Sequence, residues 1–139
     1  MKTYIIFIFG TLASCFSWLF GGLDNPLLIL ISLMGLDYFT GLIIAKAGKS
    51  LKTENGGLSS YVGFLGLAKK FVILFFVIVG HMCDALMGLD FCRLTVIYGY
   101  VANEILSLVE NAGILGLPIP SVISNCIEVL KSKGEEVHE

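Results

Sequence analysis

The sequence predicts an all-α membrane protein, with three to four transmembrane helices followed by a short C-terminal amphipathic helix. Three observations lead there. Of 139 residues, 56% are hydrophobic and only 14% charged, at a mean hydropathy of +0.89, which lies outside the ordinary soluble range. Apolar runs close to the ~20 residues that cross a ~30 Å hydrocarbon layer follow one another with short polar breaks. Ionisable residues inside those runs are few and isolated. Little chain remains for a soluble module. The net charge of -2, without a basic block, gives no footprint for nucleic acid; the partner the composition implies is a lipid bilayer.

The first run, YIIFIFGTLASCFSWLFGGL at residues 4–23, carries no charge and is long enough to span. Within it, Leu12-Ala13-Ser14-Cys15 also fits a lipoprotein cleavage box, with Cys15 as the lipidated residue. Against that reading, the run stays apolar after Cys15 and brings Trp18 toward an interface. Asp24, Asn25 and Pro26 form a turn that can also start a helix. The second run, LLILISLMGLDYFTGLIIA at 27–45, holds Asp37 near its middle. Its eleven Leu, Ile and Phe residues, at about -0.5 kcal/mol each, outweigh about +3 for one central Asp, so it should still insert.

Residues 46–70 contain five lysines against the single acid Glu54. The positive-inside rule makes this segment a cytoplasmic loop. Gly48, Asn55, Gly56 and Gly57 mark its first half as irregular, and the second half reads as a helical turn or two at the interface. The third run, 71–89, carries His81 and Asp84. The fourth segment, about 93–112, places Leu94, Ile97, Tyr98, Val101, Ile105, Leu108 and Val109 at helical spacing, with Gly99, Asn103, Ser107 and Glu110 on another face. It is expected to cross with the polar face against protein or water; the alternative is to lie flat. Pro118 and Pro120 end that element, and residues 121–133 form an amphipathic helix too short to span. The expected organisation is a transmembrane domain over 1–112, then the amphipathic helix and charged tail over 113–139.

The residues that could carry chemistry are the ionisable ones inside spans, together with small residues beside them. Asp37, Thr40, Gly41 and Ala45 share one helix face, and Gly41-xxx-Ala45 permits close helix approach. Gly80, Asp84 and Gly88 recur every four residues, with His81 beside them. Asn103 and Glu104 add polar groups on the fourth segment. Two readings stay open: these stripes are seams within one bundle, or they meet between protomers and become hydrated when many subunits open a lumen. An enzyme is not expected. His81 and Asp84 are helical neighbours, yet no nucleophile has a recognisable setting, and His81-x-Cys83 with Cys92 lacks zinc spacing. No phosphate-binding loop is present, so neither a cofactor nor a metal is expected. Cys15, Cys83, Cys92 and Cys126 lie far apart and read as small hydrophobes.

The cluster Asp37-Tyr38-Phe39-Thr40-Gly41 inside a span, a lysine-bearing loop, and then Ser59-Ser60-Tyr61-Val62-Gly63-Phe64-Leu65-Gly66-Leu67-Ala68-Lys69-Lys70 leading into the next apolar run together resemble the toxin-secretion and phage-lysis holin family, over roughly residues 25–112. The resemblance implies a small protein of the bacterial cytoplasmic membrane that forms a homo-oligomer and opens lesions. Its cargo would be an endolysin or a toxin lacking a signal peptide. It also implies that Asp37, Thr40, Gly41, Gly63, Gly66, Lys69 and Lys70 determine insertion and assembly. Acids in a span feel the membrane potential, at about 2.3 kcal/mol per charge per 100 mV if moved fully across. The alternative function is a small proton-coupled exporter acting as a dimer, with Asp37 or Glu104 as the essential carboxylate. Such sites favour aromatic lining, whereas Trp18 sits near an interface and Tyr38 points about 100° away from Asp37 on a helix. A third class, a membrane subunit that only docks another protein, is also compatible.

Overall fold

Local start and stop signals set the helix ends in the computed structural model, which describes residues 1–135. Five helices follow in order: α1 Lys2–Phe20, α2 Asn25–Lys46, α3 Ser60–Met87, α4 Cys92–Ile114 and α5 Ser121–Glu135. Asp24 caps α2 by accepting the Leu27 N–H at 3.3 Å, with Pro26 in the first turn. Ser59 caps α3 by accepting the Val62 N–H at 3.4 Å. Gly21 and Gly88 close α1 and α3 in the left-handed region, at φ 73° and 67°, where a side chain would be strained.

Among the described residues, α1, α2 and α3 are long and apolar enough to cross a membrane. The protein is therefore an all-helical membrane protein. At 23 residues α4 is as long as the 22-residue α2, but it is less apolar, because it carries a polar stripe.

Within the 46–70 segment the irregular loop ends at Ser59, and the helical second half is not a separate interfacial turn but part of α3. Ser60 to Lys70 form the first turns of the 28-residue α3. The physical reason is Lys70, which is only 9% exposed. Its charge is met by carboxylates inside the protein, so it has no need of interfacial water, and the helix runs through it without a break.

The side-chain pairings fix the helix directions. The start of α4 meets the start of α2 through Arg93 and Asp24, and Asn111 meets Thr40 near their other ends, so α2 and α4 run parallel. α3 runs opposite, joining Lys70 near its start to Glu104 and Asp84 near its end to Cys92. α4 lies against both α2 and α3. Leu27, Leu30, Met34, Val77, Ile97 and Val101 form the core where the three meet. Between helices in lipid, such contacts stabilise mainly by close packing.

α1 is different. Phe20 is its only buried residue, and Tyr4, Ile6, Phe7, Phe9 and Trp18 are each more than two-thirds exposed. A helix apolar on every side is solvated by lipid or by another helix. α5 packs on α4 after Pro118 and Pro120; the charged end beyond Glu135 lies outside the described residues.

α3 and α4 approach closely at Gly80. A Cβ there would lie 3.0 Å from the Arg93 Cα, with no flexible side chain to yield. Gly80→Ala is expected to destabilise by about 1–3 kcal/mol through overpacking. Gly99→Ala, where a Cβ meets nothing within 4 Å, is expected to be neutral or to stabilise by up to about 1 kcal/mol. Unfolding in detergent micelles distinguishes them, and equal effects would contradict the close crossing.

Candidate functional site in the bundle core

The three helices that pack together each contribute one charged side chain at the same depth. Asp37, Lys70 and Glu104 lie roughly 15–18 Å along α2, α3 and α4, by the 1.5 Å rise per residue. Lys70 Nζ donates to Asp37 Oδ2 at 2.8 Å and to Glu104 Oε2 at 2.5 Å. The side chains of Lys70, Asp37 and Glu104 are 11%, 13% and 4% exposed. One ammonium thus bridges two carboxylates between three helices.

Further donors complete Asp37. The Ser107 hydroxyl donates to Oδ1 at 2.6 Å, and Asn111 Nδ2 donates to the same oxygen at 3.1 Å. Asn111 also donates to Thr40 Oγ1 at 2.9 Å, and the Thr40 hydroxyl donates to the Asp37 backbone carbonyl at 3.0 Å. Among the described residues, no buried side-chain nitrogen or oxygen lacks a partner. That completeness matters, because charges removed from water are tolerated only when their hydrogen-bonding capacity is met.

Small residues of α2 and α3 shape the space beside this network. Gly41 and Ala45 of α2, with Gly63 and Gly66 of α3, line a cleft of about 290 Å³ that reaches from the 47–59 loop to Lys70 and Glu104. Tyr38 fills the room the two α3 glycines leave: a Cβ at Gly63 would lie 3.6 Å from its hydroxyl, and one at Gly66 would lie 3.8 Å from its ring. Lys69 and Asn103 are exposed and stand on the cleft wall. Asp37, Thr40, Gly41, Ala45, Gly63, Gly66, Lys69, Lys70, Asn103 and Glu104 are therefore brought to one place.

Gly80, His81, Asp84 and Gly88 belong to the opposite end of the bundle. The two Asp84 oxygens accept the Cys92 and Arg93 N–H groups, each at 2.9 Å, so this acid caps α4 and complements its dipole. Arg93, itself buried, forks onto Asp24 at 2.7 and 2.9 Å and donates to the Phe20 and Gly22 carbonyls. The Arg93 guanidinium holds the Asp24 carboxyl below the ordinary carboxylate range. His81 packs against Gly21, where a Cβ would collide with its ring. Gly88 closes α3 and lines nothing in the core cluster. Among the described residues, no group of three or more His, Cys, Asp or Glu is placed to hold a metal.

Sequence reasoning placed Lys70 at the end of an interfacial helical turn, without its buried partners, and missed Asn111 altogether. The available signal was the spacing Glu104, Ser107, Asn111, at intervals of three and four, which marks one helix face. Arg93, which the hydropathy pattern does not single out, ties α1, α2 and α4 together.

Fold and site define a multi-span helical membrane protein whose core is closed by a buried charge network. A bacteriophage holin family model matches residues 14–132; the chain belongs to that family. An uncharacterised protein of Listeria monocytogenes is 36% identical over 138 residues, covering 97% of this chain and 94% of that protein. An uncharacterised 14.9 kDa protein of Clostridium perfringens is 36% identical over 132 residues, covering 94% and 95%. A probable holin of Bacillus phage phi105 is 31% identical over 133 residues, covering 94% and 92%. No solved structure matches.

Lys70 is the common partner in the network, so its removal leaves two buried carboxylates uncompensated. Lys70→Met is expected to destabilise the bundle by about 3–5 kcal/mol. The triple variant Asp37→Asn, Lys70→Met, Glu104→Gln is expected to recover most of that loss, since no net charge then stays buried. Thermal unfolding in micelles provides the comparison; a triple variant no more stable than Lys70→Met would contradict the charge argument.

Proposed function

We propose that this chain is a holin in the strict sense: it accumulates in the bacterial cytoplasmic membrane, oligomerises, and opens lesions through which an endolysin or a signal-less toxin leaves the cell. The observation that carries this reading is a charge network buried between the helices of a bundle whose lipid-length helices are largely apolar outside. In a packed subunit the charged side chains of Asp37, Lys70 and Glu104 are turned away from lipid. When subunits rearrange around water, Asp37, Lys70 and Glu104 are the groups that can line the new surface, because hydration replaces the bonds they make within the bundle.

The remaining features support the same account. α1 is held to the others only near its C-terminal end and is apolar around its circumference, as a helix available for exchange between subunits would be. The loop 47–59 and its flanks hold Lys46, Lys49 and Lys52, which sets this end in the cytoplasm by the positive-inside rule. α4, packed between its neighbours, then returns through the bilayer with Glu104, Ser107 and Asn111 turned inward. No step requires a nucleophile or a cofactor, and the chain acts without catalysis. The exporter reading is less well supported, since the Asp37 carboxylate is engaged by Lys70, Ser107 and Asn111 rather than held by an aromatic cage.

Controlled expression in bacteria tests the proposal. Membrane potential and release of a cytoplasmic reporter enzyme are followed together. An abrupt collapse of potential accompanied by reporter release is expected, with shifted timing for Asp37→Asn. Continued growth at full potential, or dye efflux that depends on a proton gradient, would contradict it.

A further inference from the structure

The charge network is open toward one end of the bundle and closed toward the other. On the loop side, the cleft runs from Ser50, Lys52 and Thr53 down to Asn103, Glu104 and Ser107. Its volume of about 290 Å³ is far above the ~15 Å³ that one water requires, and its walls carry the hydroxyl, amide and charged groups that hold water. At Gly41 the wall is bare backbone, and a Cβ there would meet nothing within 4 Å. Toward the Arg93 end the same three helices present Leu30, Met34, Val77, Ile97 and Val101, all between 0% and 6% exposed. These residues lie one to two turns beyond Asp37, Lys70 and Glu104 and leave no polar path. Toward lipid, Ile31, Leu67, Phe71 and Leu74 form a separate apolar groove, with Tyr38 and Lys70 between it and the cleft.

We infer that the cleft is a one-sided aqueous access path, which brings water and hydronium from the loop face to the Asp37–Lys70–Glu104 network and no further. The groups facing it are Asp37 and Tyr38 of α2, Lys69 and Lys70 of α3, Glu104 of α4 and Lys52 of the loop. Electrically the network then belongs to the loop side. Most of the transmembrane potential falls across the apolar seal between the network and the Arg93 end, since a hydrated cleft carries little of the voltage drop. A change in potential therefore acts on these charges across a distance shorter than the bilayer. Exchange of small ions with the network occurs from the loop face alone. This inference rests on the membrane reading of the proposed function but not on lesion formation.

Thiol labelling tests it without requiring lysis. In a chain with Cys15, Cys83, Cys92 and Cys126 replaced by alanine, single cysteines are placed at Gly41, Asn103, Leu30 and Thr53. Each variant is incorporated into vesicles that retain a trapped dye, and a membrane-impermeant methanethiosulfonate is added to one face at a time. Thr53→Cys defines the loop face, whichever way the chain inserts. The thiolate, which forms only where water reaches the sulfur, attacks the reagent's thiosulfonate sulfur to give a mixed disulfide and release methanesulfinate. Gly41→Cys and Asn103→Cys are expected to react from the loop face about tenfold or more faster than Leu30→Cys, and not from the other face. Retention of the folded unfolding transition checks each variant, and Asn103→Cys, on an exposed position, carries the test if Gly41→Cys is distorted. Reaction of the cleft positions from the opposite face, or no faster than Leu30→Cys, overturns the inference. If the vesicle reading holds while expression causes no collapse of potential, the access path stands and the lesion proposal fails.

Discussion

A charge buried between transmembrane helices has to be matched where it stands, and Lys70 is where this protein meets that demand. The ammonium lies between Asp37 and Glu104, at 2.8 and 2.5 Å, so that three helices share one electrostatic junction. In water such a pair contributes little. In a bundle core, the loss of one partner strands the others without solvent, which makes the arrangement all-or-none. Much of the local structure follows from it. Ser107, Asn111 and Thr40 are positioned to saturate Asp37, Gly63 and Gly66 leave room for Tyr38 beside it, and α3 continues as a helix past Lys70 instead of stopping there.

The other end of the bundle is organised by a different device. Asp84 caps the N-terminus of α4 while Arg93, the next residue but eight along the chain, ties that terminus to Asp24 and to the end of α1. Between these two polar regions lies the apolar seal of α2, α3 and α4. The molecule is thus layered along its length: a lysine-bearing loop and polar cleft, a charge junction, an apolar plug, and a capped turn. α1 stands apart from that layering, with Phe20 as its one buried side chain. The proposed action, accumulation in a membrane followed by rearrangement, calls for a stable internal unit and a weakly attached element, and the bundle and α1 fit those two roles.

Much of this was legible in the sequence, and the part that was not has a specific cause. Hydropathy and length revealed the spans, because the bilayer imposes a length on any helix that crosses it. Asp37, Thr40 and Gly41 were recognisable as one face, since helical spacing is local. Lys70 was misread because the positive-inside rule counts lysines without knowing their partners, and the acids that bury it come from α2 and α4, 33 and 34 residues away. Asp84 and Gly88 looked like one continuous stripe with Gly80, yet the helix ends at Met87, so Gly88 serves the turn and Asp84 serves the next helix. Asn111 fell outside the pattern because the polar face was drawn through Gly99, Asn103, Ser107 and Glu110, of which only Ser107 joins the network, rather than through Glu104, Ser107 and Asn111.

The central claim is that Lys70 bridges two carboxylates inside the bundle, and solid-state NMR in lipid bilayers addresses it directly. With ¹⁵N-labelled lysine and ¹³C-labelled aspartate and glutamate, the Lys70 amine, assigned by its loss in Lys70→Met, is expected to show short-range dipolar contacts to the side-chain carboxyl carbons of both Asp37 and Glu104. A Lys70 signal without contacts to either carboxyl carbon would contradict the account.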